Sequence, residues 1–157
     1  MGFDNAGALW MTYSRGKYLT PESSEIRTVT NAHGDWSIGT VTHGPDIDIH
    51  LPSMAFDPSG LAWISYGVSR HKSVDVMVAI ANDDSWTTET IRADSHDGDT
   101  GWDTSVALDD SNNVFVAHLD YTGGGGKLLV STNRSGSWTT ETVDSLNGTG
   151  RSASIAM

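Results

Sequence analysis

The residues able to do chemistry gather in three polar segments. HGPDIDIH at 43–50 carries Asp48 and His50, and DSHDGDTGWD at 94–103 carries Asp94, His96, Asp97, Asp99, Trp102 and Asp103. DSLNGTGR at 144–151 ends on Arg151. Basic and aromatic residues recur elsewhere: Arg15, Lys17 and Tyr18, then Arg70, His71 and Lys72, then Asp120 and Tyr121. Two chemistries fit. A saccharide needs an aromatic face for its C–H groups and charged or amide partners for its hydroxyls. Trp102 beside Asp103 supplies the core of that set, with Asp48, His50, Arg70, His96 and Arg151 as polar partners. The other is metal binding. Asp94, Asp97 and Asp99 around Gly98 are hard oxygen donors suited to Ca²⁺, although the spacing and closing Glu of an EF-hand are missing. His50 with Asp46 and Asp48 would suit a transition metal if that segment is extended, because alternation then places all three on one face. Turn geometry alone also selects Asp and Gly, and it accounts for most of these residues individually. No other cofactor is expected.

Composition removes several function classes. The formal net charge is −11, which opposes binding to a phosphate backbone or an anionic membrane surface. With no cysteine, there is neither a disulfide frame nor a thiolate metal site. No apolar run approaches the roughly 20 residues that span a bilayer. The start, MGFDNAG, lacks the basic and apolar regions of a signal peptide, which leaves the compartment open. The glycine run at 123–126 has no helix after it to cradle a phosphate. Neither a nucleophile elbow nor a Ser-His-Asp order is present.

What positions these segments is a repeat. MAFDPSGLAWISY at 54–66 aligns without a gap on MGFDNAGALWMTY at 1–13, and VALDDSNNVFVAH at 106–118 is a third copy. Asp4, Asp57 and Asp109 are thereby equivalent, as are Tyr13, Tyr66 and His118. Half a repeat later, GDWSIGTV, DSWTTETI and GSWTTETV recur around Trp36, Trp86 and Trp138. The third copy holds four strand-like runs, at 104–108, 114–119, 127–132 and 138–143, separated by turn-forming residues. In the turn between the first two runs, Asp is expected to accept backbone N–H groups. Gly7 and Gly60 supply a positive φ there, and Asn112 tolerates the same conformation.

Four antiparallel strands per roughly 50-residue repeat describe a blade of a β-propeller. The expected fold is all-β, a single repeat domain over 1–157 with blades at about 1–53, 54–104 and 105–151. SIAM at 154–157 matches SMAF at 53–56, which reads as a spare innermost strand. Three blades are too few to close a ring, so closure is expected from copies of the chain. Residues 152–157 of one subunit would complete the first blade of the next. A homodimer gives six blades, the commoner ring size, and a homotrimer gives nine. The alternative is a segment of a longer propeller.

The run SWTTETVDS at 137–145, a glycine-containing loop and the following inner strand resemble the repeats of bacterial sialidase-like (BNR-type) propellers over nearly the whole chain. That family's Asp-box, Ser-x-Asp-x-Gly-x-x-Trp, has its nearest match in STNRSGSW at 131–138, with Asn133 for Asp and its Gly one position late. Sialidase chemistry is not implied. Such enzymes clamp a carboxylate with three arginines, whereas no Arg recurs at the innermost strand here, and Arg27 and Arg92 fall in outer-strand patterns. The resemblance implies a bacterial protein that is secreted or at the cell surface. The expected function is a non-enzymatic, self-assembling propeller that binds glycans. A ligand-free structural or designed repeat assembly is the alternative, and a glycosidase is the third reading.

Overall fold

The computed structural model describes residues 1–16, 24–44, 48–70, 73–82, 85–92, 100–122, 125–146 and 149–157, without the side chains of His50 and Arg70. The chain is all-β, and its described residues form twelve strands in three four-stranded antiparallel sheets. Sheet 1 is β1 (Gly2–Phe3), β2 (Leu9–Arg15), β3 (Ser24–His33) and β4 (Asp35–Gly44). Sheet 2 is β5 (Asp48–Phe56), β6 (Ala62–Arg70), β7 (Ser73–Asn82) and β8 (Ser85–Arg92). Sheet 3 is β9 (Trp102–Leu108), β10 (Val114–Asp120), β11 (Lys127–Thr132) and β12 (Thr139–Asp144). Within each sheet the strands follow chain order as a meander. β9 opens two residues earlier than the strand pattern predicts, and Trp138 stands just outside β12.

The repeat holds at the level of single hydrogen bonds. In the first turn of each sheet, one carboxylate oxygen accepts two backbone N–H groups. Asp4 takes Ala6 and Ala8, Asp57 takes Ser59 and Leu61, and Asp109 takes Ser111 and Asn113, all at 2.8–3.0 Å. Gly7, Gly60 and Asn112 have φ of 81°, 90° and 62°, the conformation expected from the turn pattern. All three carboxyls are held below the usual carboxylate range. At Asp4 the leading cause is the Trp10 indole N–H, and at Asp109 it is the Asn113 amide. At Asp57 burial pushes upward, but bonds from Ser59, Leu61 and Gly60 outweigh it. In the nearest Asp-box match, Asn133 Oδ1 accepts the Val114 N–H at 2.8 Å, as Asn31 accepts Leu9 at 2.9 Å in sheet 1.

Two β-bulges also recur. The register of the third strand against the fourth shifts at Ile26/Arg27, Val76/Met77 and Leu128/Leu129. The residue left over is Val41, Ile91 or Val143. The inner strands bulge too, between His50 and Ser53 and opposite Ala117/Leu119. Leu51 and Asp103 there take φ of 52° and 50°, and Ser152, the next equivalent, takes 51°. Such a conformation is uncommon for residues other than Gly, so surrounding contacts must hold it.

Sheets 1 and 2 enclose one core: Trp10, Ile26 and Val41 from sheet 1 meet Met54, Phe56, Ile64, Tyr66 and Trp86 from sheet 2. Sheets 2 and 3 enclose the second, where Trp63, Val76, Val78 and Ile91 meet Val106, Val116 and Trp138. Alternation within each strand of sheet 2 therefore feeds both cores, one from each face. Ile155 N–H donates to Ser105 Oγ at 3.2 Å, repeating the bond from Val106 N–H to Ser53 Oγ at 3.3 Å. Residues 153–157 thus lie along β9 as β9 lies along β5, although no strand pairs with them.

Candidate functional site

At the end of sheets 1 and 2 where β2 finishes and β5 begins lies a cavity of about 310 Å³. Its lining includes Ser14, Gly16, Ser24, Asp48, Leu51 and Trp102. Each side chain arrives there for a local reason. Ser24 opens β3 and is buried. Asp48 opens β5, is exposed, and accepts the Ser24 hydroxyl through Oδ1 at 3.3 Å. Gly16 leaves room for that pair, since a Cβ at this position would come within 2.6 Å of Ser24 Oγ. Trp102 is brought in by β9, whose Thr104 hydroxyl donates to the Leu51 carbonyl at 2.9 Å. That bond fastens the two inner strands together at the bulge.

The equivalent positions of the other repeats are joined by a backbone clip. Thr100, the counterpart of Asp48, donates both its N–H (3.2 Å) and its hydroxyl (2.9 Å) to the carbonyl of Val74, the counterpart of Ser24. Thr149 repeats the hydroxyl bond to the Gly126 carbonyl at 3.2 Å. A carboxylate cannot donate to a carbonyl, so Asp48 abandons this clip and turns to the Ser24 hydroxyl. Backbone packing follows the same division. Gly101 lies so near the Asp75 carbonyl and the Val74 side chain that a Cβ would collide with both, while its counterpart Ile49 carries a full side chain, buried at the first junction.

Of the residues predicted from sequence, Asp48 and Trp102 are brought together at this cavity. His50, Trp102 and Arg151 occupy one repeat position, immediately before the bulge residues Leu51, Asp103 and Ser152. His50, in β5, pairs through its backbone with Gly67 of β6, and Arg70, at the end of β6, pairs with Ser73 of β7. Asp103 turns to the chain end, where its carboxylate accepts the Ser152 N–H at 3.1 Å. Arg151 stacks its guanidinium 5.5 Å above the Tyr121 ring centroid. His96 and the acidic trio Asp94, Asp97 and Asp99 lie outside the described residues, as does Asp46. Among the described residues no group of three His, Asp or Glu side chains could hold a metal ion.

Arg92, in β8, reaches the buried Asp120 carboxylate at 3.6 Å and bridges sheets 2 and 3. His118 is fully buried between Thr100 O (2.7 Å from Nδ1) and Ser131 Oγ (2.9 Å from Nε2). Burial lowers its pKa to about 4, so at neutral pH it is an uncharged packing group. Tyr66, its counterpart, is equally buried. Sequence reasoning missed Ser14, Gly16, Ser24 and Leu51. Aligning Asp48 with Thr100 and Thr149 would have exposed the departure at that position.

No protein-family model matches the chain, and no curated protein matches it. Among solved structures, the chain is similar to the polysaccharide lyase Uly1, with a TM-score of 0.62 over 90% of this chain at 10% sequence identity. It spans 39% of that protein's length. At that identity the likeness is one of fold: an all-β architecture shared with part of a carbohydrate-active protein.

Proposed function

We propose that the three sheets are consecutive blades of a β-propeller and that the cavity between the first two binds a saccharide without altering it. The observation carrying this reading is the convergence of Asp48 and Trp102 on one cavity, each departing from the repeat that explains its neighbours. The indole offers a face for sugar C–H groups, and Asp48, Ser24 and Ser14 offer hydroxyl partners beside it. A cavity of this size takes one or two sugar rings. The similarity to a polysaccharide lyase supports a carbohydrate-related role.

A binding role is favoured over hydrolysis by the acid inventory. Asp48 is the single acid among the described lining residues, while glycoside hydrolysis ordinarily needs two carboxyl groups flanking the bond. A glycan array followed by calorimetric titration tests the proposal. Binding should weaken about thirtyfold in Trp102→Ala. No binding to any saccharide by the parent protein would refute it. Turnover of a glycoside or polyuronate, lost in Asp48→Asn, would replace binding by catalysis.

A further inference from the structure

A second and larger cavity, of about 410 Å³, lies between sheets 1 and 2 at the other end of β5. Asp48 opens β5 at the first cavity, and Phe56 closes it at this one. Phe56 and Trp86 line it from sheet 2, and Trp10 of sheet 1 meets Phe56 edge-on with ring centroids 6.1 Å apart. The wall of sheet 1 departs from the repeat at two positions that are cross-strand partners. Thr28 pairs with Gly39 in the register in which Val78 pairs with Glu89 and Val130 with Glu141. Both departures line this cavity.

Neither departure serves folding. Val78 is fully buried in the second core. Thr28 has the same shape, is 4% exposed, and carries a hydroxyl with no partner among the described residues. An unpaired hydroxyl at that depth costs stability that a methyl group does not. Gly39 weakens a strand without a conformational reason, since its φ is not positive. Nor does a β-branched partner demand glycine, because Val78 faces Glu89 in the same way. What the pair achieves is a wall with nothing over the hydroxyl, for a Cβ at 39 would stand 3.2 Å from Thr28 Oγ1. It also removes the carboxylate that the other two copies carry there. Asp4, the one acid in the described lining, is already occupied by its turn and by the Trp10 indole N–H at 2.9 Å.

We propose that this cavity binds an uncharged aromatic small molecule of the phenol or indole class. Its ring lies against Phe56 and Trp86, and its O–H or N–H donates to Thr28 Oγ1. An anionic ring is disfavoured by the net charge of −11 and by the absence of Lys and Arg from the described lining. A saccharide fits less well, because its several hydroxyls need several free partners. Thr30, Ser37 and Ser85 already bond backbone groups, and the described lining holds no amide side chain. The site is separate from the cavity at Asp48 and does not depend on saccharide binding there.

Amide NMR of the 157-residue protein titrated with free indole or phenol tests this directly. Both compounds should shift the amides of Thr28, Gly39, Ala81 and Trp86, with Kd of roughly 1 mM or tighter. Benzoate, which adds a charge, and glucose should each bind there at least about tenfold more weakly. Two variants install the residues of the other copies. Gly39→Glu should weaken indole binding about thirtyfold or more, and Thr28→Val should weaken phenol binding about tenfold while raising the urea midpoint. No shift at these amides with either compound would overturn the inference, even if a saccharide binds at Asp48. So would equal binding of benzoate or glucose at this cavity, or undiminished affinity in either variant. A Thr28→Val protein less stable than the parent would overturn it too, since folding would then account for the threonine.

Discussion

The junction between sheets 1 and 2 and the junction between sheets 2 and 3 are built on one plan and finished differently. Both rest on an Asp-anchored turn, a bulged inner strand and a bulged outer strand. At the end where its first strand begins, the second is clipped by Thr100 on the Val74 carbonyl and by Gly101 against Asp75. The first has Asp48, Ser24 and Gly16 at that end, lining a cavity, and no such clip. In a repeat protein the shared features report what folding requires. A departure in one copy, at a place where folding would be served by the common residue, marks a position answering to something else.

The largest break in this comparison is at the paired positions Tyr66 and His118. Tyr66→Ala should cost about 4 kcal/mol by emptying the first core, measured by urea unfolding, and that loss should not vary with pH between 4 and 7. His118 makes the second junction pH-sensitive instead. Unfolded, it takes up a proton near 6.5; folded, only near 4. Between those values the unfolded chain binds more protons, so stability falls as pH drops from 6.5 to 4 and this contribution levels off below. The loss at the acid limit is on the order of 3 kcal/mol. In His118→Tyr, which installs the residue of the other two copies, that slope should flatten.

A smaller effect is expected from backbone packing. Gly101→Ala should destabilise by about 2 kcal/mol, because the added methyl meets the Asp75 carbonyl. The counterpart Ile49→Ala errs in the opposite direction, leaving a gap in the first junction at a cost of about 3 kcal/mol. Equal and negligible losses at both positions would mean that the two junctions do not differ as described.

Much of this arrangement was legible in the sequence. Two motifs in phase over three copies placed the strands of the third copy to within about two residues. Asp4, Asp57 and Asp109 announced their turns because Asp and a left-handed Gly or Asn form a local unit that needs no distant partner. The inner-strand bulge was hidden. Leu51, Asp103 and Ser152 share a positive φ but no residue type that favours it, so tertiary packing and not local preference sets that conformation. The site divides along the same line. Trp102 and Asp48 stood out by type, but Ser24 lies far from Asp48 in sequence and meets it only once sheets 1 and 2 are stacked. Asp103 attracted notice as the neighbour of Trp102, yet alternation and the bulge send its carboxylate to the Ser152 backbone.

The smallest structural change carries the most direct test: giving the first junction the residues of the second, as Ser24→Val with Asp48→Thr. Both substitutions change the side chains by little in volume and Ile49 keeps its buried place, so the protein should remain folded with stability within about 1 kcal/mol of the parent. Calorimetric titration with the saccharide that the parent binds should then show no heat of binding, because the variant lacks both the carboxylate and the Ser24 hydroxyl that line the cavity. Undiminished affinity in this double variant would contradict the assignment of the first junction as the binding site.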